Sequence, residues 1–412
     1  MTPIDKVQIP QDSEFDPKRA MELANLLEVA YAEYEVWDFR QTNLGNEPIK
    51  LPPQELIGSS DFADLSGTTV ALPVEPTDMN HKIVKDSYGS LNSRWHNPKQ
   101  YERLDNFWFS EWWWLNLLNG GFLLELLNKP IGEKLLTTLA DRIVDDQLFG
   151  FVARSKSDPD EIFVIFRGTR EQSEWINNLR AVPQQFLKNE GFDNLGEIRN
   201  GFNRIYSERN DVHSQVSQFF QKLNLLNLLG IFNRKSNNHN RRELTPQETI
   251  TKLFERRDDL LTTNSKIFIT GHSLGAGLAT LAALHISQIA KKKGTNASIS
   301  LYTFASPRVG DETFAEYFKY IPLCYRVINS EDLIQSVPLP TTKVIDSTIF
   351  DSLKPDKQNR VRLVRNILNK ITGGQSEKHY QHVGIPITFT KQTGTVAGNH
   401  NLTVTYREAF KD

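Results

Sequence analysis

Apolar and polar positions along the chain form two different patterns. In the C-terminal part, short runs rich in β-branched and aromatic residues alternate with helix-forming stretches. Such runs predict strands, and they lie at residues 148–153, 162–166, 266–270, 298–304, 325–328 and 385–389. The helix-forming stretch before residue 298 makes a βαβ unit, and Pro386 indicates that the last strand lies at an edge. We therefore expect an α/β fold with a mainly parallel central sheet.

The N-terminal part of the chain shows a weaker hydrophobic periodicity. Residues 16–34 begin with Asp16 and Pro17 and carry apolar residues three and four positions apart, which predicts a capped helix that covers the sheet. Residues 40–100 are polar and contain several prolines, so they predict loops with short elements.

Residues 107–127 stand out because four of the seven tryptophans fall between Trp108 and Trp114. Polar residues interrupt this aromatic run, which argues against a membrane span and indicates an amphipathic element. The element can pack on the sheet, or it can lie on lipid with Trp112, Trp113 and Trp114 at the interface. The pattern does not separate these two interpretations.

A candidate nucleophile lies in the pentapeptide GHSLG at residues 271–275, which directly follows a predicted strand and precedes a helix-forming run. Strand, GxSxG and helix form the nucleophile elbow of α/β-hydrolases, where a strained turn exposes a serine Oγ. A Cβ on Gly271 or Gly275 would collide with the neighbouring strand and helix, and Gly277 would let the helix pack close to the sheet. We therefore predict an α/β-hydrolase fold with Ser273 as the catalytic nucleophile.

A serine nucleophile needs a histidine base and a carboxylate that orients the base. In α/β-hydrolases these residues follow in the order Ser, Asp or Glu, His. Asp332 comes shortly after a predicted strand and is the favoured acid, with Glu331 as the alternative. Asp311 precedes an apolar helical period at residues 312–320 and is interpreted as its cap.

Three histidines follow the acid, at positions 379, 382 and 400. His379 and His382 directly precede the predicted edge strand, where structural or surface roles are the simpler interpretation. His400 lies in a loop before a predicted terminal helix and is favoured as the base because such a loop can reach the sheet edge.

An oxyanion hole takes one N–H from the residue after the nucleophile, here Leu274, and one from a loop after an earlier strand. The strand at residues 162–166 continues into Arg167-Gly168-Thr169, so Thr169 is the candidate for the second donor. On spacing alone an ordinary turn fits equally well.

These features occur within an ordered set of motifs. The set comprises FRGT at 166–169, EWINNL at 174–179, NGF at 200–202, TGHSLG at 270–275, FASPRVGD at 304–311, YRVINSEDLI at 325–334, YQHVG at 380–384 and finally His400. Over about residues 145–412 the chain resembles the class 3 lipase family, the fungal-type triacylglycerol lipases and their plant and bacterial phospholipase relatives.

The resemblance implies a triad of Ser273, Asp332 and His400, with Thr169 at the position of the family's oxyanion serine or threonine. It also implies that residues 170–199 carry a lid over the acyl groove, with Trp175 on it. The motif that contains His382 corresponds to a structural element of the family. The run at 107–127 and the insertions at 225–260 and 341–378 have no counterpart in the compact fungal enzymes, so the resemblance leaves the substrate open.

The resemblance also divides the chain into an N-terminal helical region with the aromatic-rich insertion at residues 1–144 and a hydrolase core at 145–412, which we expect to form one continuous domain.

The net charge of −2 gives no basic face for nucleic acid. The single cysteine, Cys324, fits a reducing compartment, and the first thirty residues lack the pattern of a secretory signal. We expect a cytoplasmic protein with peripheral contact to membranes, and no cofactor or metal ion.

The leading hypothesis is a serine hydrolase that cleaves carboxylic esters of lipids at an interface through an acyl-enzyme. The substrate would be a triacylglycerol, or a phospholipid or galactolipid that loses an acyl chain. An esterase for small soluble esters and a non-catalytic α/β-hydrolase scaffold are the alternatives.

Overall fold

The computed structural model describes residues 7–43, 101–110, 146–168, 183–188, 191–192, 194–208, 244–332, 334 and 380–411. The strands in this part of the chain are β1 (Tyr101–Ser110), β2 (Asp146–Ser155), β3 (Glu161–Phe166), β4 (Pro183–Gln185), β5 (Glu197–Arg199), β6 (Lys266–His272), β7 (Ser298–Phe304), β8 (Leu323–Asn329) and β9 (Ile385–Phe389). The α-helices are α1 (Pro17–Asn43), α2 (Asn200–Ser207), α3 (Pro246–Arg256), α4 (Leu274–Lys293), α5 (Glu312–Glu316) and α6 (Val396–Asn399). A 3₁₀ turn at Tyr317–Tyr320 follows α5, and the chain ends in a π-helical segment at Leu402–Arg407 and a 3₁₀ turn at Glu408–Phe410.

The central sheet has seven strands in the order β1-β2-β3-β6-β7-β8-β9. Strand β2 pairs antiparallel with both β1 and β3, whereas the neighbouring pairs β3–β6, β6–β7, β7–β8 and β8–β9 are parallel. Strands β4 and β5 form a separate two-stranded sheet. The predicted mainly parallel sheet is confirmed, and β9, which contains Pro386, lies at an edge of the described sheet as expected.

The sheet separates two core clusters, and β3 contributes to both. Ile162, Val164 and Phe166 belong to the cluster covered by α2, α3 and α4, whereas Phe163 and Ile165 belong to the cluster covered by α1 and the C-terminal helical segments. A strand buried on both faces needs a nearly continuous apolar run rather than alternation. The sequence EIFVIF meets this requirement.

Helix α1 covers one face of the sheet, as predicted. The Asp16 carboxylate accepts a hydrogen bond from the N–H of Lys18 at 2.8 Å, which is the bond expected of an N-cap before a proline at the first helical position. Leu23, Leu27 and Ala30 are fully buried in the cluster on this face. The helix is therefore part of the core.

Helix α4 is buried along most of its length and ends at Gly294, which has a left-handed φ of 68°. A Cβ on Gly275 would lie within 3.0 Å of the Phe166 and Arg167 carbonyl oxygens at the end of β3, whereas one on Gly277 would overlap the Phe202 ring of α2. Residues two apart on a helix point to nearly opposite sides. The expectation for Gly277 is therefore wrong: it permits packing between helices, and Gly275 permits the approach to the sheet.

The aromatic run begins in strand β1, which lies within the N-terminal region expected to be helical. Two irregularities in the pairing of β1 with β2, at Arg103/Asp105 and Phe107/Trp108, interrupt the alternation of side chains and hide the strand from a period-two search. Phe107 is fully buried and stacks on Phe166 with ring centroids 4.3 Å apart. The start of the run is therefore core.

Trp112, Trp113 and Trp114 lie outside the described residues, so their placement at lipid stays a prediction, as does the boundary between residues 144 and 145. Within the described part of the chain, every helix is too short or too polar to cross a membrane.

Candidate active site

Ser273 occupies the turn between β6 and α4 with φ 58° and ψ −124°. A positive φ is costly for a residue with a side chain, so it persists only where the surroundings enforce it. The Ser273 N–H donates to the Phe304 carbonyl at 3.0 Å, and a Cβ on Gly271 would overlap the backbone of Gly275. The strained geometry predicted for a nucleophile elbow is present at this serine.

Asp332 and His400 form a buried pair at the carboxyl edge of the sheet. Asp332 follows β8, His400 follows α6, and His400 Nδ1 lies 2.7 Å from Asp332 Oδ2. The other carboxylate oxygen, Oδ1, accepts the N–H of Ile334 at 2.9 Å. The structure therefore brings together the two residues that the sequence assigns as acid and base.

Asp332, the predicted acid, has another partner that the sequence did not indicate. Tyr406 Oη donates to Asp332 Oδ2 at 2.6 Å. Burial, followed by the charge of Asp332, raises the pKa of Tyr406 well above its ordinary value. The phenol consequently stays protonated and remains a hydrogen-bond donor to the carboxylate.

Asn329, fully buried at the end of β8, joins the acid-bearing loop to the base-bearing loop. Its Nδ2 donates to the carbonyls of Lys391 at 3.0 Å and Asn399 at 2.9 Å, and its Oδ1 accepts the N–H of Lys391 at 2.9 Å. These bonds fix two segments that are distant in sequence. Sequence reasoning missed this residue, although it stands within the YRVINSEDLI motif.

His400 lies directly beside the elbow. The His272 ring, next to Ser273 in the chain, has its centroid 4.8 Å from that of His400, and His272 Nε2 lies 2.9 Å from the His400 carbonyl oxygen. Among the described residues, His400 Nε2 is buried without a hydrogen-bond partner. An imidazole held through Nδ1 with Nε2 available is the arrangement that a general base requires.

The loop after β3 adjoins the nucleophile. A Cβ on Gly168 would lie 3.0 Å from Ser273 Cβ. The buried guanidinium of Arg167 donates to the carbonyls of Leu148 at 2.6 Å and Gly168 at 2.7 Å, which holds the loop in place. Thr169 lies outside the described residues.

Leu274, the other proposed oxyanion donor, is the first residue of α4 and is buried. An N–H in the first turn of a helix has no partner within the helix and can serve a negatively charged oxygen. Trp175, on the predicted lid, lies outside the described residues.

The alternative acid and base residues lie elsewhere. The Glu331 carboxylate accepts a hydrogen bond from Gln392 at 2.7 Å. His382 is partly exposed and lies just before β9 begins, whereas Asp332 follows the end of the parallel strand β8. Asp311 caps α5 as predicted, since its carboxylate accepts the Phe314 N–H at 2.9 Å. His379 lies outside the described residues.

Across the described ranges, His, Cys, Asp and Glu side chains form no group of three or more that could hold a metal ion.

The sheet, the elbow and the helices on both faces define an α/β-hydrolase fold. Residues 163–342 match the family model of lipase (class 3). This match confirms the resemblance to the class 3 lipase family that the motifs indicate. His400 lies beyond the matched segment.

Curated relatives include plant and fungal enzymes. Phospholipase A(1) DAD1, chloroplastic, of Arabidopsis thaliana is 29% identical over 43% of this chain and 34% of its own length. A lipase of Rhizomucor miehei is 26% identical over 50% of this chain and 44% of its own length. Among solved structures, M37 lipase is 15% identical, with a TM-score of 0.40, over 88% of this chain and 83% of that one.

The chain thus spans half or less of the length of these curated relatives.

Proposed function

We propose that this protein is a serine hydrolase that cleaves the carboxylic ester bonds of lipids with Ser273 as nucleophile, His400 as base and Asp332 as acid. One observation carries the proposal. The Asp332–His400 pair is buried, leaves Nε2 of the imidazole without a partner among the described residues, and adjoins the strained serine of the elbow.

The reaction would proceed in two halves. His400 Nε2 takes the proton of Ser273 Oγ as this oxygen attacks the ester carbonyl, and Asp332 stabilises the imidazolium. N–H groups of Leu274 and Thr169 would bind the oxyanion of the tetrahedral intermediate. His400 then gives the proton to the departing alcohol, which leaves an acyl-serine. Water, deprotonated by His400, attacks the acyl carbonyl and releases the fatty acid and the free serine.

Relatives named lipase and phospholipase A1 support a lipid ester as substrate. Triacylglycerols and the acyl esters of phospholipids or galactolipids are the proposed classes. The lid with Trp175, the interfacial role of Trp112, Trp113 and Trp114, contact with a membrane surface and the cytoplasmic location stay predictions. An esterase for small soluble esters and a scaffold without activity are the other outcomes of the tests below.

Substitution of the three residues tests the mechanism. Ser273→Ala, Asp332→Asn and His400→Ala should each lower kcat/KM for an ester by about a thousandfold or more, because the triad acts as a unit. His382→Ala is the matched control and should keep the activity. Activity retained by Ser273→Ala would exclude the mechanism, and an inactive His382→Ala beside an active His400→Ala would reassign the base.

A substrate panel tests the lipid assignment. Rates on emulsified triacylglycerol, phospholipid vesicles and galactolipid vesicles are compared with the rate on a short-chain ester below its solubility limit. A rise in rate when the substrate forms droplets or vesicles is the expected result. Equal or higher rates on the dissolved ester would identify a soluble esterase, and no Ser273-dependent turnover on any ester would identify a scaffold.

A further inference from the structure

A continuous series of hydrogen bonds joins four segments around the proposed nucleophile. The Gly168 N–H donates to Tyr31 Oη at 2.8 Å, and Tyr31 Oη lies 2.8 Å from His272 Nδ1. His272 Nε2 lies 2.9 Å from the carbonyl oxygen of His400. The series therefore runs from the loop after β3, through helix α1 and the elbow, to the backbone of the proposed base.

The chemistry of the groups determines which atom carries each proton. A carbonyl oxygen can only accept, so His272 Nε2 carries hydrogen and donates to His400. Burial, followed by the charge of His400, lowers the pKa of His272 well below its ordinary value, so this imidazole is neutral. Its Nδ1 is then an acceptor, and the Tyr31 hydroxyl donates to it while accepting from Gly168.

We propose that Tyr31 and His272 are positioning residues. They hold the loop after β3, which leads to the proposed oxyanion donor, and the proposed base His400 in fixed positions relative to Ser273. The proposed mechanism needs an oxyanion donor, a nucleophile and a base at defined distances from one another. These groups lie on three separate segments: the loop after β3, the elbow and the loop after α6. Misplacement of a reacting group by about 1 Å can cost on the order of a hundredfold in rate. This assignment rests on the proposed function.

Gly168 is held on both its N–H and its carbonyl side. Arg167 Nη1 holds the Gly168 carbonyl at 2.7 Å, and the Tyr31 hydroxyl holds the N–H of the same residue. A Cβ on Gly168 would lie only 2.5 Å from Tyr31 Oη and 3.0 Å from Ser273 Cβ. The hydroxyl therefore fits between the loop and the elbow, and α1, which lies outside the segment matched by the family model, completes the site.

Tyr31→Phe removes the hydroxyl and keeps the ring. The buried Gly168 N–H and His272 Nδ1 each lose a partner, while the bond from Arg167 to the Gly168 carbonyl remains. We expect kcat on a soluble ester to fall by roughly tenfold to a hundredfold, with KM changed by less than about twofold. In this assignment the Tyr31 hydroxyl contacts neither the alcohol nor the acyl part of the substrate. Its removal should therefore leave KM nearly unchanged.

The chain offers a matched control. Tyr206 Oη lies 3.1 Å from His285 Nδ1, Tyr206 belongs to the cluster on the opposite face of the sheet, and His285 is buried on α4. Tyr206→Phe breaks a bond of the same kind away from Ser273, so it reports the effect of the lost bond on stability alone. Its kcat should equal that of the unmodified protein at temperatures below the onset of unfolding.

The unmodified chain and its variants Ser273→Ala, Tyr31→Phe and Tyr206→Phe are compared in kcat, KM and melting temperature. A Tyr31→Phe kcat at least tenfold below that of Tyr206→Phe, with both variants folded, supports the positioning role. Equal kcat values in the two tyrosine variants, with Ser273→Ala inactive, overturn it and leave the proposed function intact. Activity retained by Ser273→Ala instead removes the proposed function itself.

His272→Gln provides a second variant should Tyr31→Phe fail to fold. Glutamine can keep an N–H near the position of Nε2 but presents no acceptor at Nδ1, so the link to Tyr31 is lost and the donor to the His400 carbonyl is kept. A fall in kcat with unchanged KM is expected. A kcat equal to that of the unmodified protein contradicts the assignment.

Discussion

Replacement of Phe107 by alanine tests whether the aromatic run begins in the core. The Phe107 side chain is fully buried, and its ring stacks on Phe166 at 4.3 Å with 13° between the ring planes. Burial of such a side chain contributes about 1.5–3 kcal/mol, and the ring pair adds about 0.5–1.5 kcal/mol. With the cavity that remains, we expect the free energy of unfolding to fall by about 3–5 kcal/mol.

Urea unfolding at fixed pH, followed by fluorescence and far-UV circular dichroism, measures this loss. Tyr320→Ala is the control, because Tyr320 is 84% exposed and its removal should change stability by less than about 0.5 kcal/mol. Binding to phospholipid vesicles is measured in parallel. A loss below about 1 kcal/mol in Phe107→Ala together with weaker vesicle binding would refute the core placement and favour the interfacial interpretation.

Two further predictions concern backbone packing and pH. Gly275→Ala places a Cβ against carbonyl oxygens at the end of β3, so we expect a loss of about 3 kcal/mol or more and loss of esterase activity. Gly294→Ala meets no atom within 4 Å and should cost only about 1–2 kcal/mol from its left-handed φ in the same unfolding assay, so equal losses would contradict the packing argument. Burial, followed by the charge of Lys292, lowers the pKa of His285 to about 3, so between about pH 6.5 and pH 3 the unfolded chain binds a proton that the folded chain does not. His285 alone should therefore contribute no pH dependence of stability above about pH 6.5 and a fall of up to about 1.4 kcal/mol per pH unit below it, and a pH slope unchanged in His285→Gln would exclude this contribution.

Features with short-range causes were predictable from the sequence. The elbow needs a strand, a turn with small flanking residues and a helix in immediate succession, and all of these lie within residues 266–293. Asp311 caps a helix that begins at the next residue, and Gly294 ends one that carries lysines in its last turn. With Ser273 as the predicted nucleophile, the order of the chain favoured Asp332 as acid and His400 as base. Local geometry restricts residue types at such positions, so a single sequence carries the signal.

Strand β1 was not predictable in this way, since its irregular pairing with β2 displaces the alternation that marks a strand. Nor was the role of Gly277, because a helix glycine can face a sheet or another helix, and only the position of α2 decides between them.

The contacts around the proposed triad depend on tertiary structure alone. Tyr31 lies 241 positions before His272, and Tyr406 lies 74 positions after Asp332, yet each pair is within hydrogen-bond distance. Bonds over such separations impose no spacing, period or cap on the sequence. The sequence by itself predicted which residues would act as nucleophile, acid and base. Their partners were decided only when the sheet placed the loops after β3, β6, β8 and β9 at one edge and α1 packed across it.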